Sequence, residues 1–150
     1  MNVATHILLA TDFSETTAVA KAGEMARMLD AKLTVLNVHG HPPEPPEAVV
    51  PPDRLVWSSD LDDRSREQLE ELKRTQFPDV ELLTLAFVED GNPARAISDY
   101  AREHGVDMIV MSTHARKGMA HFLWGSVAEK VVRQANCAVL IVPEVGVLAA

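Results

Sequence analysis

The stretch VDMIVMSTHARKGMAHFLWGSVAEKVVRQANCAVLIV, Val106 to Val142, decides the fold. Val106 to Met111 is apolar except for Asp107 and has the length of a buried strand. Ser112 to Trp124 follows neither strand nor helix period, and reads as an irregular connection rich in small and basic residues. Ser126 to Gln134 has helical spacing. Ala138 to Val142 is a second apolar strand, closed by Pro143. Strand, helix and strand in this order form a crossover unit, whose two strands run parallel.

The same alternation extends toward the N-terminus. Ile7 to Ala10 is an apolar run ending at Thr11-Asp12. Ser14 is a helix cap candidate, followed by Ala18, Ala22, Met25, Ala26 and Leu29 at helical spacing. Lys32 to Val38 and Val80 to Val88 read as strands. Between them Ser58-Ser59-Asp60 opens a charged helix over Leu61 to Thr75, with Arg66, Glu70 and Arg74 at i, i+4 steps. Asn92 caps and Pro93 starts another helix, which stops at His104-Gly105. Five apolar strands with helices between them imply an α/β domain: a doubly wound, five-stranded parallel sheet covered on both faces. Ligands in such sheets sit beyond the carboxyl ends of the strands, where strand order reverses. Those ends are expected at Thr11-Asp12, Val38-His39 and Met111-Ser112.

The chain has 150 residues, one domain's worth, and six of its nine prolines crowd into Pro42 to Pro52. Residues 39–58 are therefore expected to be a surface loop, and 144–150 a tail. A net charge of -8 argues against nucleic acid or an anionic membrane as partner. One cysteine excludes an internal disulfide, and Cys137 reads as a small buried residue. No apolar run approaches membrane-spanning length, and Ile7 to Ala10 is too short for a signal-peptide core, so a cytoplasmic location is expected.

The charge is uneven. Residues 111–133 carry Arg116, Lys117, Lys130 and Arg133 against Glu129, a local balance of +3 that leaves -11 elsewhere. The helix opening at Gly125-Ser126 offers free N–H groups to phosphate oxygens. Ser126 and Glu129 also form the S-x-x-E capping box, which satisfies those donors without a ligand. Asp12 is either a ribose or metal contact or a turn carboxylate. His39 and His41 form an H-x-H without further ligands nearby, and His114, His121, Trp57 and Trp124 read as loop and packing residues. Neither a Walker-type loop nor G-x-G-x-x-G is present.

Ser112-Thr-His-Ala-Arg116 through Gly125-Ser-Val-Ala-Glu-Lys-Val-Val-Arg133 resembles the signature of the universal stress protein family. Ile7 to Ser14, Leu33 to Val38, Gly91-Asn-Pro93 and Ala135 to Pro143 match the family in order. Its ATP-binding branch carries G-x2-G-x9-G-[ST]. Here the spacing and the last pair, Gly125-Ser126, are kept, while Ser112 and Ala115 replace the two leading glycines. By this resemblance Ala10 and Met111 line a base pocket, and Val38 offers backbone groups to adenine. Thr11 is among the nucleotide-binding residues, and Asp12 lies near ribose or a Mg or Mn ion. Ser112, Ala115, Arg116, Gly125, Ser126 and Val127 hold ribose and phosphates.

If its position needs a positive φ, Ala115 costs about 1 kcal/mol, roughly five- to tenfold in affinity. The resemblance implies a stress-response module that binds ATP and dimerises through Ala138 to Val142, with no flavin. Two alternatives stand beside it: a dimeric interaction protein of the same fold without ATP, and a slow ATPase. No nucleophile–base pair or paired carboxylates mark an enzyme.

Overall fold

The computed structural model describes residues 4–11, 17–39, 63–89, 92–113 and 126–143. Ser14, Leu61, the proline-rich loop and the tail lie outside them. The elements in chain order are β1 (His6–Thr11), α1 (Thr17–Leu29), β2 (Lys32–His39), α2 (Asp63–Gln76), β3 (Leu82–Glu89), α3 (Pro93–Glu103), β4 (Met108–Thr113), α4 (Ser126–Gln134) and β5 (Ala138–Pro143). All neighbouring strands run parallel, in the order β3-β2-β1-β4-β5. This is the doubly wound α/β sheet that the strand pattern implies.

Strand alternation sorts the apolar residues onto two faces. Ile7, Leu9, Leu33, Val35 and Val110 pack with Ala18, Val19, Ala22 and Ala26 of α1, and with Phe77. Leu8, Ala10, Leu36, Ile109 and Met111 pack with Ala94, Ala96, Ile97, Tyr100 and Ala101 of α3, and with Ala128 and Val131 of α4. Both faces of the central strands are thus dry, which is why they read as continuous apolar runs. On α1 the buried side is built from small residues. A Cβ on Gly23 would stand 3.0 Å from Phe77 Cε1, so glycine lets the buried ring sit against the helix.

Two strands start later than the apolar pattern suggests. Val106 is buried, but its N–H donates to Ala101 O at 2.9 Å and closes the end of α3, so β4 begins at Met108. Gly105 makes that reversal with a φ of +64°. Likewise the Val80 N–H turns back to Phe77 O, and β3 begins at Leu82. In both places burial is right and backbone pairing is not. At the far end β4 runs to Thr113, because its ladder with β5 continues to the pair Thr113–Pro143. On α2, Arg74 pairs with Glu71 rather than with Glu70, one residue off the expected i, i+4 step. Asn92 caps α3 as expected, its Oδ1 accepting from the Arg95 N–H at 3.2 Å.

Candidate functional site

Strand order reverses between β1 and β4: the chain builds outward from β1 through β2 to β3, then crosses to β4 and β5. The β1–β4 ladder joins Ile7 to Met108, Leu8 to Ile109 and Leu9 to Val110, and goes no further. Yet β1 continues to Thr11 and β4 to Thr113. On their outer sides both strands stay paired, Thr11 with Asn37 of β2 and Thr113 with Pro143 of β5. The two central strands therefore part at their carboxyl ends while the rest of the sheet holds together. A crevice at this switch point is the place where doubly wound sheets take ligands.

The expected site residues fall into three groups around the parting. Ala10 and Met111 each follow the last β1–β4 pair and pack on the face of α3 and α4. Thr11 and Ser112 come next along the same strands and are 5% and 7% exposed. Val38 lies on β2, its backbone paired with Val88 of β3. Ser126 is the first residue of α4, and Val127 is half-buried against the α3–α4 core. Asp12, Ala115, Arg116 and Gly125 lie outside the described residues, as do His41, His114, His121, Lys117, Trp57 and Trp124.

Ser112 bears on the first replaced glycine. Among the described residues the only non-glycine with positive φ is Asp30. Ser112 thus holds ordinary strand backbone, and a side chain there carries no left-handed strain. It is also tucked inside, paired across the ladder with Val142.

Charge near the α4 start is partly spent within the helix. Arg133 Nη2 donates to Glu129 Oε1 at 2.9 Å, while Lys130 is exposed. Glu129 is thus engaged toward the C-terminal side of α4. The side chain of Ser126, the other half of the expected capping box, lies outside the described residues.

One polar residue at this end of the sheet was not among the expected site residues. Asn37 is 1% exposed, and its Nδ2 donates to the Thr11 carbonyl at 3.0 Å. Its Oδ1 is buried and has no hydrogen-bond partner among the described residues. The signal was present in KLTVLNV: an amide near the carboxyl end of an apolar strand, the end at which doubly wound sheets take ligands.

The opposite end of the sheet is structural. Asp107 Oδ2 accepts from Thr5 N–H at 2.9 Å, Thr5 Oγ1 at 3.0 Å and His6 N–H at 3.0 Å. Those bonds, the Thr5 N–H first, hold its carboxyl below the usual aspartate range. Cys137 is half-buried rather than fully enclosed. Burial, and then the Asp107 charge, pushes its thiol up, away from reactivity. Among the described residues no group of three or more His, Cys, Asp or Glu could hold a metal, and no helix is long and apolar enough to cross a membrane.

The sequence profile of the universal stress protein family matches residues 4–143. The chain belongs to the universal stress protein family. A family member from Thermus aquaticus is 34% identical over 140 residues, spanning 91% of this chain and 96% of that protein. Among solved structures, a Methanocaldococcus jannaschii protein superposes with a TM-score of 0.71 at 23% identity, covering 95% of this chain and 98% of that one. A universal stress protein in complex with cAMP gives 0.62 at 24%, covering 95% and 99%. The Archaeoglobus fulgidus universal stress protein in complex with dAMP gives 0.57 at 21%, covering 93% and 98%. These likenesses carry the doubly wound fold.

Proposed function

We propose that this universal stress protein is a cytoplasmic, dimeric module that binds an adenine nucleotide, with ATP as the ligand. The observation that carries the reading is the parting of β1 and β4 beyond Leu9–Val110. It lies at the switch point and is flanked by the residues that the family resemblance assigns to a nucleotide. The adenosine phosphates held by two solved relatives support the same chemistry.

In this reading Ala10 and Met111 supply apolar walls for the base, and the Val38 backbone meets its polar edge. Thr11 and Asp12 stand by the ribose, Asp12 also reaching a Mg or Mn ion carried by the phosphates. Ser112, Ala115, Arg116, Gly125, Ser126 and Val127 form the ribose and phosphate cradle. The α4 N-terminus favours anions through its free N–H groups and dipole. A divalent ion would neutralise phosphate charge there. The ordinary backbone of Ser112 is compatible with binding, since that replacement of glycine imposes no backbone strain.

The test needs no assay of activity. Purified protein is denatured and its supernatant examined by mass spectrometry for ATP, ADP or AMP. Calorimetry with millimolar Mg-ATP follows. Nucleotide in the supernatant or a binding isotherm is expected, and Gly125→Val is expected to abolish binding while leaving the dimer. Neither nucleotide nor heat would sink the reading. Equal affinity in Gly125→Val would move the site elsewhere.

A further inference from the structure

Asn37 stands opposite Thr11 in the last pair of the β1–β2 ladder, at the carboxyl end of the sheet. By strand alternation it lies on the α1 face with Leu33 and Val35, both fully buried, and with Thr11 of β1, opposite to the face that carries Ala10 and Met111. The bond from its Nδ2 to the Thr11 carbonyl sets which way the amide lies. The flipped amide would press two oxygens together. Oδ1 is therefore the uncommitted end: it is buried, and no donor among the described residues reaches it. Amides so placed are costly unless something donates to them.

An amide oxygen only accepts, so its partner must bring an N–H or an O–H. Ionised phosphate oxygens have no proton to give and would be repelled. The adenosine part of a nucleotide has three such donors, the 6-amino group of adenine and the 2′- and 3′-hydroxyls of ribose, and the ribose is the part that the proposed site puts beside Thr11, on the Asn37 face. Asn37 is one residue from Val38 and directly across from Thr11, both on the rim of the proposed nucleotide site. We infer that Asn37 is a specificity-determining residue of that site, whose Oδ1 accepts a hydrogen bond from the nucleoside part of the ligand. This rests on the adenine-nucleotide reading and adds to it a contact that selects for a donor. Burial matters to the outcome, because a ligand lacking the donor leaves the oxygen unpaired with no water to replace it.

Calorimetry on the full chain compares ATP with inosine triphosphate, 2′-deoxy-ATP and 3′-deoxy-ATP, for the wild type and for Asn37→Leu. One analogue is expected to bind the wild type about tenfold more weakly than ATP. Which analogue it is tells whether the amine or a hydroxyl is the donor. In Asn37→Leu, ATP is expected to fall to that weaker affinity, and the discrimination to vanish. A purely structural asparagine would instead weaken all four ligands alike and keep their ratios.

Equal binding of the four by the wild type, or discrimination that survives in Asn37→Leu, overturns the inference alone. A wild type that binds none of them overturns the nucleotide reading and this inference with it. Where Asn37→Leu fails to fold, the wild type decides by nuclear magnetic resonance. Its Asn37 side-chain amide signal must shift on saturation with ATP and not with the discriminated analogue. An unmoved signal overturns the inference.

Discussion

A single carboxylate oxygen of Asp107 receives three hydrogen bonds, and so ties the start of β1 to the residue that precedes β4. The bonds are stronger to the ionised form, which lowers the carboxyl's pKa in the folded chain below its unfolded value. The unfolded state thus binds the proton more tightly. The stabilisation is present above the unfolded value, about 3.9, and is lost as pH falls through the folded one. Asp107→Asn is therefore expected to lower the urea midpoint at pH 7 and to match the wild type at a pH below the folded value. A gap that persists in acid would assign the effect to packing instead. His6 acts in the same direction at a higher pH. Burial lowers the pKa of its ring, whose Nε2 lies 2.8 Å from Thr34 Oγ1, so acidification below about 6.5 favours unfolding in both proteins, and more so in Asp107→Asn, which lacks the carboxylate charge that partly offsets the shift. At this scale the sequence was partly legible. Asn37 and Asp107 are conspicuous as polar residues in or beside apolar strands. Their partners, Thr11, Thr5 and His6, are 26, 102 and 101 residues away and follow from no local rule.

The helices show which boundaries can be read locally. Helix α3 is bracketed by chemistry within its own few residues: the Asn92 cap, Pro93 at its start, and Gly105 beyond its end. Gly105 tests one of these signals in isolation. A Cβ there would meet nothing within 4 Å, yet its φ of +64° is unfavourable for an L side chain. Gly105→Ala is expected to cost about 1 kcal/mol, entirely from the backbone, and Gly105→Asn less. Denaturant midpoints of the two variants check the order, and equal values would refute the conformational account. Helix α4 and strand β5 likewise begin where the sequence places them, at Ser126 and Ala138. The starts of β3 and β4 were misplaced by two residues each, because Val80 and Val106 are apolar and buried or half-buried like strand residues. Only the direction of their N–H groups, toward Phe77 O and Ala101 O, takes them out of the ladder.

Across the whole molecule, β5 is an edge strand bonded on one side to β4. Val139, Leu140 and Ile141 are each half-buried in the isolated chain. Unpaired strand edges of this apolar kind attract a second strand. The proposed dimer would pair β5 with its copy. Leu140→Lys puts a charge at the centre of that edge and is expected to yield monomer by light scattering, with its far-ultraviolet circular dichroism retained. A folded variant that stays dimeric would place the interface on another surface.

Local patterning by itself determined the α/β class, the helix α3 with its cap, the helix α4, and the small-residue face of α1. Periodicity, capping and composition are written in neighbouring residues, and the family signature adds Ser112 to Ser126 as one string. Only the tertiary structure decided where the two central strands part and a candidate site lies. The order β3-β2-β1-β4-β5 and the loss of pairing after Leu9–Val110 depend on how distant strands meet. So does the state of Asn37, whose amide is half satisfied because one carbonyl from another strand stands 3.0 Å away and, among the described residues, no donor stands on its other side. A hydrogen bond between strands is a property of their register, and register is set by packing both faces of the sheet at once.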